Sequence, residues 1–241
     1  VKTLIITGGK VSNEVLVRVY NNTFEYVMAV DGGLTVIDEY NKDISENKNI
    51  NDCNRMNITP DLSIIDGNRM NILVDCIIGD FDTVKKDVLQ AYQNIGIKVV
   101  QFPPEKNYTD THLALLKAIE FGASDITIVG AIGSRMDHTM ANIGLLNITL
   151  KHKIPCKIID DKNIIQMIDD KVEINAKDGK YISLLPTTEC VTGIYLGGFK
   201  YPLSDATISQ GESIGISNEL TNEIGQIRIT SGKALVIQAN D

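Results

Sequence analysis

The amino-acid sequence predicts an α/β N-terminal domain, with a mostly parallel sheet and flanking helices, followed by a C-terminal antiparallel β-sandwich domain. Three observations carry this prediction. Over residues 1–153, short apolar runs alternate with segments of helical period. Those runs are nearly unbroken in apolar character, as strands buried on both faces are. After about Pro155 the helical period stops, and short β-prone runs follow one another between Asp and Gly turns, which sets the second domain at 154–241.

Taken in order, the strands of the first half are expected at Thr3–Thr7, Tyr26–Val30, Ile72–Ile78, Lys98–Phe102 and Ile126–Val129. Between them the helical period covers Asn13–Tyr20, Leu34–Tyr40, Val84–Ile95, Thr111–Phe121 and His138–Leu150. Val88, Leu89, Tyr92 and Ile95 are expected on one buried helix face, and Leu113, Leu116, Ala118 and Ile119 on another. Residues 41–71 are polar and rich in Asn and Asp, and read as an exposed excursion. In the second half, β-prone runs lie at Lys157–Ile159, Ile164–Ile168, Tyr181–Leu185, Val191–Leu196, Ile224–Thr230 and Ala234–Gln238.

Composition narrows the function. The 241 residues are 43% hydrophobic and 22% charged, enough to bury a core without disulfide or metal staples. A formal charge of -8 argues against a nucleic-acid partner, whose phosphates need a basic coat. No apolar run reaches the roughly 20 residues of a membrane span. Val1–Gly9 lacks the pattern of a signal peptide. Cys53, Cys76, Cys156 and Cys190 form no CxxC pair and read as thiols in a reducing cytoplasm. The three histidines have no metal-binding spacing.

The chemistry gathers at the strand ends. The first strand runs into Gly8-Gly9, the second into Asp31-Gly32-Gly33 and the third into Gly79-Asp80-Phe81-Asp82-Thr83. The fourth leads to Asn107-Tyr108-Thr109-Asp110, and the fifth into Gly130-Ala131-Ile132-Gly133-Ser134-Arg135-Met136-Asp137-His138. In an open parallel sheet these ends share one edge, where ligands bind. Asp31, Asp80, Asp82 and Asp110 would converge there and repel one another unless a cation joined them. Mg²⁺, which prefers oxygen ligands and commonly shares them with phosphates, suits the set. Any one of these aspartates alone would read as a helix cap or turn residue. Gly8, Gly9, Gly32, Gly130 and Gly133 would let backbone N–H groups approach a phosphate. Arg135 can hold phosphate oxygens with two donors. Together these features suit phosphoryl or pyrophosphoryl transfer.

At these residues the sequence resembles the thiamine pyrophosphokinase family. The resemblance continues in the second half at Gly198-Phe199-Lys200-Tyr201-Pro202-Leu203 and Gly215-Ile216-Ser217-Asn218-Glu219. It implies transfer of the pyrophosphoryl group of ATP to the hydroxyethyl oxygen of thiamine, giving thiamine diphosphate and AMP. It also implies Mg²⁺ as cofactor, ATP as co-substrate and a homodimer in which the β domain of one subunit meets thiamine on the other. By matching motif, Asp31, Asp80, Asp82 and Asp110 would bind the metal, and Asp80, Asp82, Asp110 and Arg135 would carry catalysis. Asn107, Thr109, Ala131, Asp137 and His138 would join the glycines and Arg135 around the nucleotide. Asp82, Ser217 and Asn218 would contact thiamine. Asn107 stands where the family often has Asp, and residues 41–71 resemble an insertion. A pyrophosphokinase for another alcohol, such as hydroxymethyl-dihydropterin, and a non-catalytic nucleotide- or thiamine-binding regulator are the alternative readings.

Overall fold

A computed structural model describes residues 1–20, 24–53, 71–103 and 105–241, with the side chains of 46–53 left aside. The chain forms two compact units, Val1–Arg135 and Met136–Asp241. The first unit alternates β1 (Lys2–Ile6), α1 (Asn13–Val19), β2 (Tyr26–Val30), α2 (Gly33–Cys53), β3 (Cys76–Gly79), α3 (Lys86–Asn94), β4 (Lys98–Gln101), α4 (Asp110–Glu120) and β5 (Asp125–Val129). Its strands pair in parallel in the order β4-β3-β2-β1-β5. The chain steps outward from β1 to β4 and then returns to the far side of β1. The strand order therefore reverses between β1 and β5, and in open α/β sheets the carboxyl ends at such a reversal are where ligands bind.

Consecutive residues of β1, Leu4, Ile5 and Ile6, are all fully buried, as are Cys76, Ile77 and Ile78 of β3. Side chains alternate faces along a strand, so consecutive burial means both faces of the sheet are covered. Each such Leu or Ile contributes about 1.5–3 kcal/mol by leaving water. Short N-caps set the helix starts: Ser12 Oγ accepts from Val15 N–H at the head of α1, and Thr109 Oγ1 from His112 N–H at the head of α4.

Three expectations change. The helix expected to stop at Tyr40 continues as α2 to Cys53, because the apolar stripe Leu34, Ile37, Tyr40 and Ile44 carries on into the polar stretch. Asn41 on that helix clamps the backbone of Ile72, accepting from its N–H at 2.8 Å and donating to its carbonyl at 3.0 Å. The rest of the expected excursion, 54–70, lies outside the described residues. Second, α3 ends at Asn94 and Gly96 turns the chain at φ 85°, so Ile95 faces solvent instead of joining Val88. Third, α4 buries Thr111, Ala114, Leu115 and Ala118, whereas Leu116 is exposed. Small residues let this helix approach β1, β2 and β3 closely, and the bulkier residues were the wrong guide to its face.

The second unit opens with α5 (Met136–Lys151) and continues through β6 (Cys156–Ile159), β7 (Asn163–Ile168), β8 (Lys171–Asn175), β9 (Tyr181–Pro186), β10 (Cys190–Gly197), β11 (Leu203–Ser209), β12 (Ile224–Arg228) and β13 (Ala234–Ala239). Its strands are antiparallel, in the orders β6-β7-β13-β9 and β11-β10-β12-β8. Ile182, Leu184 and Val236 of the first layer share one core with Val191, Ile194, Ile208 and Ile227 of the second. That is the expected sandwich, with inner faces apolar and outer faces polar.

Candidate active site

Asp31 follows β2 directly and turns the chain at φ 45°, a left-handed conformation that Asp tolerates better than most residues. Its N–H donates to the Ile78 carbonyl at 2.8 Å, and its carbonyl accepts from Leu34 N–H at 3.0 Å, so the turn is held to β3 and to α2. Gly79 lies against it, where a Cβ would come within 3.2 Å of the Asp31 backbone. Just beyond, Phe81 sits at φ 64° between Asp80 and Asp82. Asp31, Asp80 and Asp82 thereby bring carboxylate oxygens within 4.8 Å of one another.

Asp110, the fourth predicted carboxylate, reaches this group through a residue the sequence reading missed. Lys106 Nζ donates to Asp80 Oδ2 at 3.0 Å and to Asp110 Oδ1 at 2.7 Å. All three side chains are sheltered, with 12–19% of their surface accessible. The sequence signal was available as a Lys four residues before Asp110, but β3 and β4 had to be paired before Asp80 could appear beside it. Thr83 was also missed; its hydroxyl donates to Asp31 Oδ2 at 2.6 Å.

The charges act on one another. The hydrogen bond from Lys106 holds the Asp80 carboxyl below the usual range. The negative charge of Asp80, helped by desolvation and by Asp31, pushes exposed Asp82 above it. Burial pulls the Lys106 ammonium down, but its bonds to Asp110 and Asp80 outweigh this and raise it. Asp31 Oδ1 is buried and has no hydrogen-bond partner among the described residues. A buried acceptor without a donor, beside two further carboxylates, is the donor chemistry of a hard divalent cation, and these residues fit one.

The strand-end glycines are required by packing. A Cβ on Gly9 would lie 2.1 Å from the Gly130 carbonyl oxygen, and one on Gly130, at φ 73°, would lie 2.4 Å from that of Thr7. Gly8 and Gly32 meet backbone to backbone, and Gly33 leaves room for the Ile6 carbonyl. These contacts draw the ends of β1, β2 and β5 together. Gly133 differs, since a Cβ there would meet nothing within 4 Å. Ala131 is buried behind this loop, and Arg135 is exposed on it. Asn107 is exposed, and Tyr108 packs against His112 with tilted rings whose centroids are 4.4 Å apart.

In the second unit, Asp137 and His138 stand in the first turn of α5, where Asp137 Oδ1 accepts from His138 N–H at 2.9 Å. Ser217 is exposed at φ 56°. Asn218 is buried, with Oδ1 accepting from the N–H groups of Tyr201 and Glu219 and Nδ2 donating to the Tyr201 carbonyl. Its side chain therefore holds the Tyr201 and Ser217 loops in place. A cavity of about 690 Å³ in this unit, lined by Leu146, Cys156, Gln166, Met167 and Asp169 among others, includes none of the predicted site residues.

Residues 17–158 match the family described as "Thiamin pyrophosphokinase, catalytic domain". The chain belongs to the thiamin pyrophosphokinase family. Residues 168–236 match its second part, "Thiamin pyrophosphokinase, vitamin B1 binding domain". Thiamine pyrophosphokinase of Bacillus subtilis is 34% identical over 165 residues, which cover 68% of this chain and 77% of that protein. The crystal structure of thiamine pyrophosphokinase from Bacillus subtilis superposes with a TM-score of 0.80 at 27% identity, over the full length of both chains. That of Geobacillus thermodenitrificans gives 0.75 at 28% identity, covering 100% of this chain and 98% of the other. The thiamin pyrophosphokinase of Candida albicans, 17% identical at a TM-score of 0.75, shares the fold. Membership makes the chain an enzyme, a transferase of the kinase type. Among the described residues no helix is long and apolar enough to cross a membrane.

Proposed function

We propose that this enzyme transfers the pyrophosphoryl group of ATP to thiamine, giving thiamine diphosphate and AMP. The observation that carries the reading is the Asp31–Asp80–Asp82 cluster at the strand ends, in a chain matched by both the catalytic and the vitamin B1 binding families. The hydroxyethyl oxygen of thiamine forms a bond to the β-phosphorus of ATP. The bond from that phosphorus to the oxygen bridging it to the α-phosphorus breaks, and AMP leaves with its electrons. Asp82 accepts the hydroxyl proton, a role supported by its exposure beside Asp31 and Asp80. Arg135 stabilises phosphate charge from the loop after β5. Most of the rate then comes from positioning and electrostatics.

Asp31, Asp80 and Asp82 would hold Mg²⁺, with Asp110 beside them; bound there, Mg²⁺ supplies charge neutralisation for the phosphate oxygens. The proposal extends to the nucleotide loops at Gly8, Gly9, Gly32, Asn107, Thr109, Gly130, Ala131, Gly133, Asp137 and His138. Ser217 is proposed as a thiamine contact and Asn218 as the residue that fixes its loop. A homodimer is part of the reading, with residues 1–153 as the catalytic part and 154–241 as the thiamine-binding and dimerising part. Small molecules rather than nucleic acids are the proposed partners, given the net charge of -8. The cytoplasm is the proposed location, supported by the free thiols of Cys76 and Cys190. The test is incubation with ATP, Mg²⁺ and thiamine. AMP and thiamine diphosphate in equal amounts are expected; ADP, or no nucleotide conversion, would overturn the reading.

A further inference from the structure

We propose that Lys106 is a built-in counter-ion that competes with the divalent cation for Asp80 and so ties metal loading to nucleotide binding. The inference rests on the metal-site reading above and concerns a residue outside the predicted set. Local helix electrostatics do not account for this lysine. It lies four residues ahead of Asp110, at the amino end of α4, where the helix dipole disfavours a cation. It also stands in the loop ahead of the N-cap Thr109, so its bond to Asp110 is not a pair within the helix. The partner that does account for it is Asp80, 26 residues away at the end of β3, whose Oδ2 lies 3.0 Å from Nζ.

Asp80 has little freedom to serve both cations at once. Its Oδ2 takes the ammonium, and its Oδ1 faces the Asp82 N–H at 3.4 Å. A dication ligated by Asp80, Asp82 and Asp31 would sit within a few ångströms of Nζ and repel it. Binding therefore requires Lys106 to give up Asp80, and Asp110, bonded at 2.7 Å, is the partner that can keep it. A free dication meets the full opposition of the ammonium. A dication arriving on a triphosphate brings negative charge that offsets the same repulsion. Lys106 thus acts as a positioning residue, lowering affinity for the bare ion more than for the ion–nucleotide complex.

The test measures Mn²⁺ binding by electron paramagnetic resonance, with and without an ATP analogue carrying a methylene group between the α- and β-phosphorus. Without nucleotide, Lys106→Gln should bind Mn²⁺ about ten-fold tighter than the parent, the effect of removing one sheltered charge. Lys106→Arg, which keeps the charge, should bind like the parent. With the analogue present, the gap between Lys106→Gln and the parent should narrow to about three-fold or less. Equal or weaker Mn²⁺ affinity in Lys106→Gln, or a gap unchanged by the analogue, would overturn the proposal. Should Lys106→Gln not fold, the ¹⁵N resonance of the Lys106 ammonium decides in the parent protein. A shift on adding Mg²⁺ with the analogue supports the exchange of partners, and none overturns it. Failure here is distinct from failure of the proposed function. AMP formation from ATP and thiamine with no effect of Lys106 on Mn²⁺ removes only the counter-ion, whereas tighter Mn²⁺ binding by Lys106→Gln without AMP formation removes only the reaction.

Discussion

The Thr83 hydroxyl donates to Asp31 Oδ2 at 2.6 Å, tying the loop after β3 to the end of β2. Asp31 Oδ1 is left buried with no donor among the described residues. The bond restrains the carboxylate of Asp31, one of the three that come together at the strand ends. Outer-shell bonds of this kind typically change metal affinity or activity about 10–100-fold. Thr83→Val should therefore weaken Mn²⁺ binding and slow AMP formation by that order, with the circular dichroism spectrum unchanged. Unaltered Mn²⁺ affinity would mean that the hydroxyl does not orient Asp31.

Asp82→Asn should lower the rate of AMP formation by about 10²–10⁴-fold, the usual contribution of a positioned proton acceptor. Stability should not fall. The Asp82 carboxyl is pushed up by Asp80, so its ionisation opposes folding. The favourable effect of its protonated form is present at low pH and is lost as pH rises through the raised value. In the protein without Mg²⁺, the loss of stability that sets in as pH rises through the raised value should disappear in Asp82→Asn, as followed by urea unfolding. A loss that stays in place assigns it to another group.

Arg135 is exposed, and its proposed duty is to the phosphates. Arg135→Ala should slow transfer by about 10²–10³-fold, the cost of removing one charge-stabilising donor. A rate and a thermal-melting measurement on the same preparation check this. Loss of the folded state with little change in the rate per folded molecule would show that the guanidinium serves the fold instead.

Gly9→Ala and Gly133→Ala separate packing from ligand approach. At Gly9 the added methyl meets the Gly130 carbonyl at 2.1 Å, so a loss of about 1–3 kcal/mol in denaturant unfolding is expected. At Gly133 it meets nothing, and stability should stay within about 0.5 kcal/mol. A fall in nucleotide affinity of Gly133→Ala at unchanged stability would assign that glycine to phosphate approach, and unchanged affinity would release it from the site.

Tyr26 packs on Phe121 with ring centroids 5.6 Å apart. Burial, then the charge and hydrogen bond of Cys76, pushes its hydroxyl up to about 12. The folded state keeps this proton where the unfolded chain releases it. The stabilisation is complete below the ordinary value near 10 and declines as pH rises toward 12. Tyr26→Phe should flatten the alkaline loss of stability followed by urea unfolding between those limits, and an unchanged slope would place it on other groups.

The sequence alone determined the alternation of strands and helices, the change to β-structure after Pro155 and the motifs that place the chain in its family. Apolar periodicity and turn residues are local, and each can be read without knowing its neighbours. It also led to Asp31, Asp80 and Asp82 as a group, because parallel strands bring their carboxyl ends to one edge. Where local signals conflicted, the tertiary structure decided. The polar residues after Tyr40 hid a stripe that α2 needs, and the small residues of α4, not its leucines alone, face the sheet. The roles of Lys106 and Thr83 were invisible for a further reason. Their partners lie 26 and 52 residues away, and only the parallel register of β2, β3 and β4 sets those groups within hydrogen-bonding distance. Spacing along the chain records no such distance, since a hydrogen bond depends on positions in space that the sheet alone supplies.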